Sequence, residues 1–444
     1  MKRFAKSDTA SLLSFFIIVI IIGTIALSLP VSWSGGASGH GRLSIIDALF
    51  TATSAVCVTG LTTVSTTDFS RFGQIVIMVL IQTGGLGIIS FTSLMLIVPG
   101  WRLSFRRLRT IKAFSLVGVE HDPFRIVRDI ILFTFLIEAL GAIALYLVFS
   151  GVKIPDSGFA AAFHSISAFC NAGFSIFPDN LEGFREHSPV LIIISVLIVS
   201  GGIGFIVLED IVQRISGKKK ALSYHSKLVL ISTLVLILTG AIVFWLSEKN
   251  HAFAGMSAVD RVINAFFQSI TPRTAGFNAV RQTDLTETST FITMILMFIG
   301  GAPGSIAGGI KVATAYIVLL VMLKRANELG EINAFGKRIS RETINSAVVY
   351  FIKAIFLVIL AVGMLSFFES SHGASLSQMA FEVISAFGTV GLSLDFTATM
   401  GLAGKLVIIV TMYSGRVGLL AFVFLGDSKV TENFVYPEAD ILVG

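Results

Sequence analysis

FTATSAVCVTG at 50–60, FHSISAFCNAG at 163–173, FFQSITPRTAG at 266–276 and FEVISAFGTVG at 381–391 are four versions of one phrase. Each opens on a Phe and closes on a Gly (Gly60, Gly173, Gly276 and Gly391) at the same spacing. The first part of each is small and aromatic and reads as a short helix; the rest reads as an extended tail. A second glycine cluster follows every copy, starting at Gly84, Gly201, Gly300 and Gly415. Self-similarity of this kind dictates architecture before any local reading, and four copies of one unit can surround one axis.

The surroundings of the phrase are those of a membrane protein. Of 444 residues, 54% are hydrophobic and 14% charged, with a mean hydropathy of +0.86, more apolar surface than a soluble chain of this length can hide. Stretches long enough to span a bilayer fall at 11–29, 74–98, 129–149, 190–212, 228–246, 291–323, 347–368 and 405–425. The first is longer than a signal-peptide core and reads as a retained helix. Each Phe-to-Gly unit lies between two spans and is too short to cross, so it must enter the membrane and return. Irregular backbone is tolerated there where it is buried in protein or faces water. The expected fold is therefore all-α and integral to the membrane: four tandem span–short helix–loop–span repeats in a pseudo-four-fold arrangement around one pore. Their bounds are 1–98, 128–213, 228–323 and 345–426, with linkers at 99–127, 214–227 and 324–344 and a tail at 427–444.

Most of the 33 Lys and Arg residues lie in the N-terminal segment and the inter-repeat linkers, which by the positive-inside rule puts both termini and the linkers in the cytoplasm. These basic runs are topology signals; no soluble basic and aromatic domain accompanies them, so nucleic acid is not an expected partner. Cys57 and Cys170 occupy equivalent positions before the repeat glycines and read as packed small residues, not a disulfide or metal site. A GxxxxGK[ST] phosphate loop is missing from the sequence, and the His and acidic residues show no catalytic spacing, so the chain does not read as an enzyme.

Four short helices pointing their C-termini inward would concentrate partial negative charge at the centre. The extended tails would supply backbone carbonyls that replace the hydration shell of a cation. The candidate filter residues are Val58, Thr59 and Gly60; Asn171, Ala172 and Gly173; Thr274, Ala275 and Gly276; and Thr389, Val390 and Gly391. SAVCVTGL, SAFCNAGFS, ITPRTAGFN and SAFGTVGLS resemble the selectivity-filter loops of the Trk/Ktr/HKT superfamily of potassium transporters, over essentially the whole chain. The length is closest to the Ktr-type membrane subunit. This resemblance implies potassium held at Gly60, Gly173, Gly276 and Gly391. Glycine at all four positions goes with potassium transport in the family, whereas serine at the first goes with sodium preference. It also implies a homodimer in the bacterial plasma membrane, controlled by a cytosolic RCK-type, KtrA-like ring that binds nucleotide. The chain itself would bind no cofactor; potassium would be cargo, with sodium a candidate activator. The alternative is a sodium-coupled or nonselective monovalent cation transporter.

The second glycine clusters differ from one another. In the third repeat, GGAPGSIAGGIK at 300–311 is too rich in Gly and Pro to hold a helix. It is expected to form an intramembrane plug, with Gly300, Gly301, Gly304, Ser305, Gly308, Gly309 and Lys311 as gating residues. In the fourth, Arg416 stands where the others have Gly85, Gly202 and Gly301. An Arg inside a span is expensive and functional by default, and the resemblance gives it a gating role. Arg273 is expected to brace the third filter loop, and His164 to be a packed hydrogen-bonding residue. Asp68, Asp179, Asp284 and Asp395, following the four glycines, are candidates for an acidic ring at the mouth.

Overall fold

The computed structural model describes residues 2–35, 42–97, 123–324, 332–334, 336–370 and 373–418. The expectations placed on 98–122, on 325–331 and 335 of the third linker, and on 419–444 lie outside the described residues.

Apolar runs bounded by polar caps form the helices. Long ones are α1 (Lys2–Ser28), α3 (Arg71–Ile97), α4 (Pro123–Gly151), α8 (Tyr224–Ser247) and α12 (Arg341–Phe368). Four short ones carry the repeated phrase: α2 (Ile45–Val56), α5 (Ser157–Phe169), α9 (Ala258–Ile270) and α13 (Leu376–Gly388). Between and after these lie α6 (Ser188–Gly202), α7 (Phe205–Ile215), α10 (Glu287–Phe298), α11 (Val312–Leu323) and α14 (Leu402–Tyr413), which runs into a wider turn at Ser414–Gly418. A small hairpin, β1 (Ile332–Ala334) with β2 (Lys337–Ile339), pairs antiparallel ahead of α12. Among the described residues, by length and composition three helices can each cross a bilayer, at Arg128–Gly151, Tyr224–Ser247 and Arg341–Phe368, and the bent pair α6–α7 makes a fourth span if taken as one. Ile17, Ile18, Ile21, Ile22 and Ile25 of α1 are all exposed, a face that suits lipid and not water.

Side-chain oxygens start the short helices. Ser44, Ser257 and Ser375 accept from the backbone N–H of Asp47, Asp260 and Gln378, and Ser375 with Gln378 forms a capping box. Such caps satisfy otherwise orphaned donors. The opposite, C-terminal ends are buried: Val56, Phe169 and Phe387 are fully enclosed and Ile270 nearly so.

The packing runs in a circle. Each short helix lies against the helix before it, in the pairs α1–α2, α4–α5, α8–α9 and α12–α13. Each helix that follows a phrase also packs on the short helix of the next copy: α3 on α5, α6 on α9, α10 on α13, and α14 back on α2. Polar contacts mark three of these four seams. Lys405 pairs with Asp47 at 2.7 Å, Arg71 pairs with Asp156, and Ser188 Oγ donates to Asp260 Oδ1 at 2.8 Å.

One expected span is bent. The stretch 190–212 is not a continuous helix: α6 and α7 meet at 102°. Gly204 has φ +87, a conformation no right-handed helix contains and one glycine adopts without strain. The carbonyl of Gly202, freed by the break, accepts from Ala302 N–H at 2.9 Å. The third repeat is thus not the only one whose second helix is interrupted.

Candidate functional site

After each short helix the backbone turns the same way. The residue two before each repeat glycine is left-handed, with φ +55 at Val58, +57 at Asn171, +73 at Thr274 and +51 at Thr389. The glycines follow at +94, +69, +74 and +99 for Gly60, Gly173, Gly276 and Gly391. Three of the non-glycine residues are β-branched, for which positive φ is a real outlier. Strain of about 1–3 kcal/mol per residue persists only where the surroundings impose it.

The four tails close a ring. A Cβ added to Gly60 would lie 2.5 Å from the carbonyl oxygen of Ala172; at Gly173 it would meet Ala275 O at 2.8 Å. At Gly276 it would meet Val390 O within 2.0 Å, and at Gly391 Thr59 O within 2.2 Å. Each glycine therefore abuts the carbonyl preceding the next glycine, and the fourth returns to the first. The structure brings all twelve of the candidate filter residues together at this ring. Val58, Thr59, Asn171, Ala172, Gly173, Thr274, Ala275, Gly276, Thr389 and Val390 are buried, while Gly60 and Gly391 are half-buried.

Hydroxyls from the short helices fix the tails. Ser54 Oγ and Ser385 Oγ accept from the N–H of Gly60 and Gly391, each at 3.0 Å. Ser167 Oγ donates to Phe174 O at 2.7 Å, and Thr271 Oγ1 to Phe277 O at 2.6 Å. Sequence reasoning missed these residues, although a Ser recurs six positions before the glycine in three copies and a Thr five before in the other. Farther along each tail stands a second polar contact. Thr63 donates to Asp47 (2.7 Å), His164 meets Ser175 (2.8 Å), Gln268 donates to Gln282 (2.8 Å) and Thr397 donates to Glu382 (2.8 Å). His164 is fully buried, with Nδ1 2.7 Å from Ala160 O.

The second glycines serve a different purpose from the first. A Cβ on Gly84, Gly201 or Gly415 would lie 2.0, 1.9 or 2.1 Å from the carbonyl oxygen of Val56, Phe169 or Phe387. They let the following helix touch the end of its own short helix. Gly300 departs from this: its Cβ would meet Gly308 O at 2.2 Å.

The segment 300–311 is a loop between α10 and α11. It is closed at its base by Gly300 N–H to Ile310 O (2.8 Å) and Val312 N–H to Gly301 O (3.0 Å). Ser305 caps the turn by donating to Ala302 O at 2.7 Å, and Gly304 (φ +74) and Gly309 (φ +61) take its left-handed positions. Gly308 lies under the fourth tail, since a Cβ there would strike Thr389 Oγ1 at 2.1 Å. The loop docks into the α6–α7 break, where Phe205 N–H donates to Gly304 O at 3.3 Å. Lys311 folds back to donate to Ala307 O.

Arg416, 5% exposed, donates Nη1 to Ile306 O and Nη2 to Gly84 O, the latter at 2.9 Å. Arg273 reaches Thr233 Oγ1 and Gly300 O, both at 3.4 Å, joining the third tail to the root of the loop. Beyond the ring, Asp395 pairs with Arg281 at 2.9 Å, so the charge of one of the four acids is offset by a neighbouring cation. Burial and then the neighbouring Asp179 push the Glu182 carboxyl above its ordinary range, and Glu182 accepts from Asn278 at 2.7 Å. In α4, Glu138 accepts from Gln82 of α3 at 3.0 Å.

Comparison with known proteins gives a consistent picture. The family profile TrkH, described as a cation transport protein, matches residues 2–431. The chain is 38% identical to the "Potassium/sodium uptake protein NtpJ" of Enterococcus hirae, over 97% of this chain and 95% of that one. It is 37% identical to the "Ktr system potassium uptake protein B" of Bacillus subtilis, with the same coverage. The protein of that name from Vibrio alginolyticus is 34% identical, over 97% and 93%. In three dimensions the chain is similar to the crystal structure of the potassium transporter TrkH from Vibrio parahaemolyticus. The TM-score is 0.68 over 94% of this chain and 85% of the other, at 21% identity, a likeness of fold.

Proposed function

The chain belongs to the TrkH family of cation transport proteins, and from that premise we propose that it carries potassium into the cell through the ring at Gly60, Gly173, Gly276 and Gly391. The observation that carries this reading is the closed circuit of left-handed glycines, each against the next copy's carbonyl oxygen. A metal cation is a hard ion and replaces its water with oxygen ligands, which four converging backbone segments supply without any charged side chain. The four short helices aim their C-terminal partial charges at the same place. In this reading the four copies are span–short helix–span repeats about one pore.

The loop 300–311 is the gate of this proposal, with Arg416 as its latch. The latch is a fork: one guanidinium holds the loop at Ile306 and α3 at Gly84. A fixed cation beneath a cation filter also raises the barrier to passage until it moves. Two of the relatives carry "Ktr system" in their names, which supports control by a separate regulatory subunit. We place that subunit, a nucleotide-binding ring, on the cytoplasmic face of a homodimer in the plasma membrane, with both termini inside.

The test is uptake by the purified protein in liposomes. Potassium or rubidium uptake that sodium competes with weakly supports the reading; equal potassium and sodium fluxes would favour the nonselective or sodium-coupled alternative.

A further inference from the structure

We propose that Asn180 is a specificity-determining residue of the second filter segment, which it serves by holding the carbonyl of Gly173. This rests on the potassium-uptake reading above and goes beyond it, since it makes one wall of the filter different from the other three.

Asn180 Nδ2 donates to Gly173 O at 3.2 Å. The opposite orientation of the amide would set two oxygens at that distance. Asn180 Oδ1 is buried and has no partner, so the side chain is held in place through its donor. Among the described residues no side chain donates to the carbonyl of Gly60, Gly276 or Gly391.

The amide is itself positioned by a chain of contacts. Asn180 sits at φ +55, a conformation that Asn tolerates better than most residues. Its backbone N–H donates to Phe177 O at 3.3 Å. Phe177 in turn donates its N–H to Ser175 Oγ at 3.1 Å. Ser175 Oγ is also 2.8 Å from His164 Nε2, while His164 Nδ1 faces the carbonyl of Ala160 and so carries a proton. The imidazole is stacked on Phe177 at 4.4 Å. The turn that presents Asn180 is thus locked to a buried ring on the short helix α5.

A carbonyl that accepts an amide proton has a set direction and one of its two lone-pair sites already occupied. A smaller cation requires the oxygens to close in, and a carbonyl held by Asn180 resists closing in. The contact therefore penalises sodium more than potassium.

The experiment measures the KM for potassium, the maximal rate and the inhibition by sodium in liposomes. It compares the full-length wild type with Asn180→Asp, which keeps the shape but removes the donor, and with Asn180→Ala. The expected result is sodium inhibition about five-fold stronger relative to potassium in both variants, the scale of one lost hydrogen bond. Lower expression or a lower rate with an unchanged ion ratio would mark a merely structural residue and overturn the proposal. So would well-folded variants with wild-type KM and sodium inhibition. A wild type that takes up no potassium would instead contradict the uptake reading, and this proposal with it.

Discussion

Arg416 Nη2 lies 2.9 Å from the carbonyl oxygen of Gly84, a bond between the end of the fourth copy and the second helix of the first. The same guanidinium holds Ile306 in the loop of the third. Three of the four copies thus meet at one side chain, directly where their sequences cease to match. With Nε unpartnered and the group 5% exposed, the arrangement holds a buried charge on two bonds.

Arg416→Ala should raise potassium flux about ten-fold, the order expected from losing a hydrogen bond to a charged group. Arg416→Lys keeps the charge but cannot fork to two carbonyls, and should fall between the two. Initial rates of rubidium uptake read the difference; equal rates in all three proteins would remove Arg416 from the gate.

Gly276→Ser places a side chain on a backbone at φ +74, with Cβ within 2.0 Å of Val390 O. The ring must open at this point to admit it. We expect the KM for potassium to rise at least about ten-fold, with sodium competition strengthened. Kinetics unchanged from the wild type would show that Gly276 does not border the ion path.

Gly201→Ala tests the close approach of α6 to the end of α5. The methyl would lie 1.9 Å from Phe169 O, and overpacking of this kind costs about 1–3 kcal/mol. Gly363→Ala is the control: it lies within α12 and a Cβ there meets nothing within 4 Å. Helix propensity then favours Ala by about 0.5–1 kcal/mol. Thermal unfolding in detergent should show Tm falling for the first variant and not for the second.

Asp47 predicts an acid limit. Burial pushes its carboxyl up, but the hydrogen bonds from Lys405, Ser44 and Thr63, with the Lys405 charge, outweigh this and hold it below its ordinary value. A carboxyl depressed in the folded state stabilises the fold above its unfolded pKa of about 4 and loses that contribution as the pH falls through the folded value. Asp47→Asn should therefore lower Tm at neutral pH and flatten its dependence on pH below about 4. An unchanged acid profile would show that the pair with Lys405 does not support the seam.

The repeated phrase was legible because chemistry and spacing recur together: small residues, a short helix, then a glycine at a fixed distance. The interruption at 300–311 was legible for the same kind of reason, since Gly and Pro in that density cannot continue a helix. The break at Gly204 was not, because the cluster at 201–204 resembles the one at 84–87, which stays helical in α3. What separates them is tertiary: Gly202 and Gly204 face the backbone of the loop from another copy. The polar contacts behind the tails were hidden differently. Asp47, His164, Gln268 and Glu382 do the same kind of work with four unlike residues, and only His164 and Glu382 share a position relative to their glycine, so no common residue type announces them. The acids beyond the ring looked equivalent in sequence, but Arg281 takes Asp395 as a partner, which spacing could not reveal.

If the four glycines line a path for potassium, the ion rests on the axis of their ring. The most direct measurement is a density map of the protein in lipid at high potassium, repeated with thallium or rubidium, whose stronger scattering marks the ion. Density is expected on the axis of the ring at Gly60, Gly173, Gly276 and Gly391, and it should strengthen with the heavier ion. A ring that stays empty in both maps, while the same preparation takes up potassium, would contradict that path.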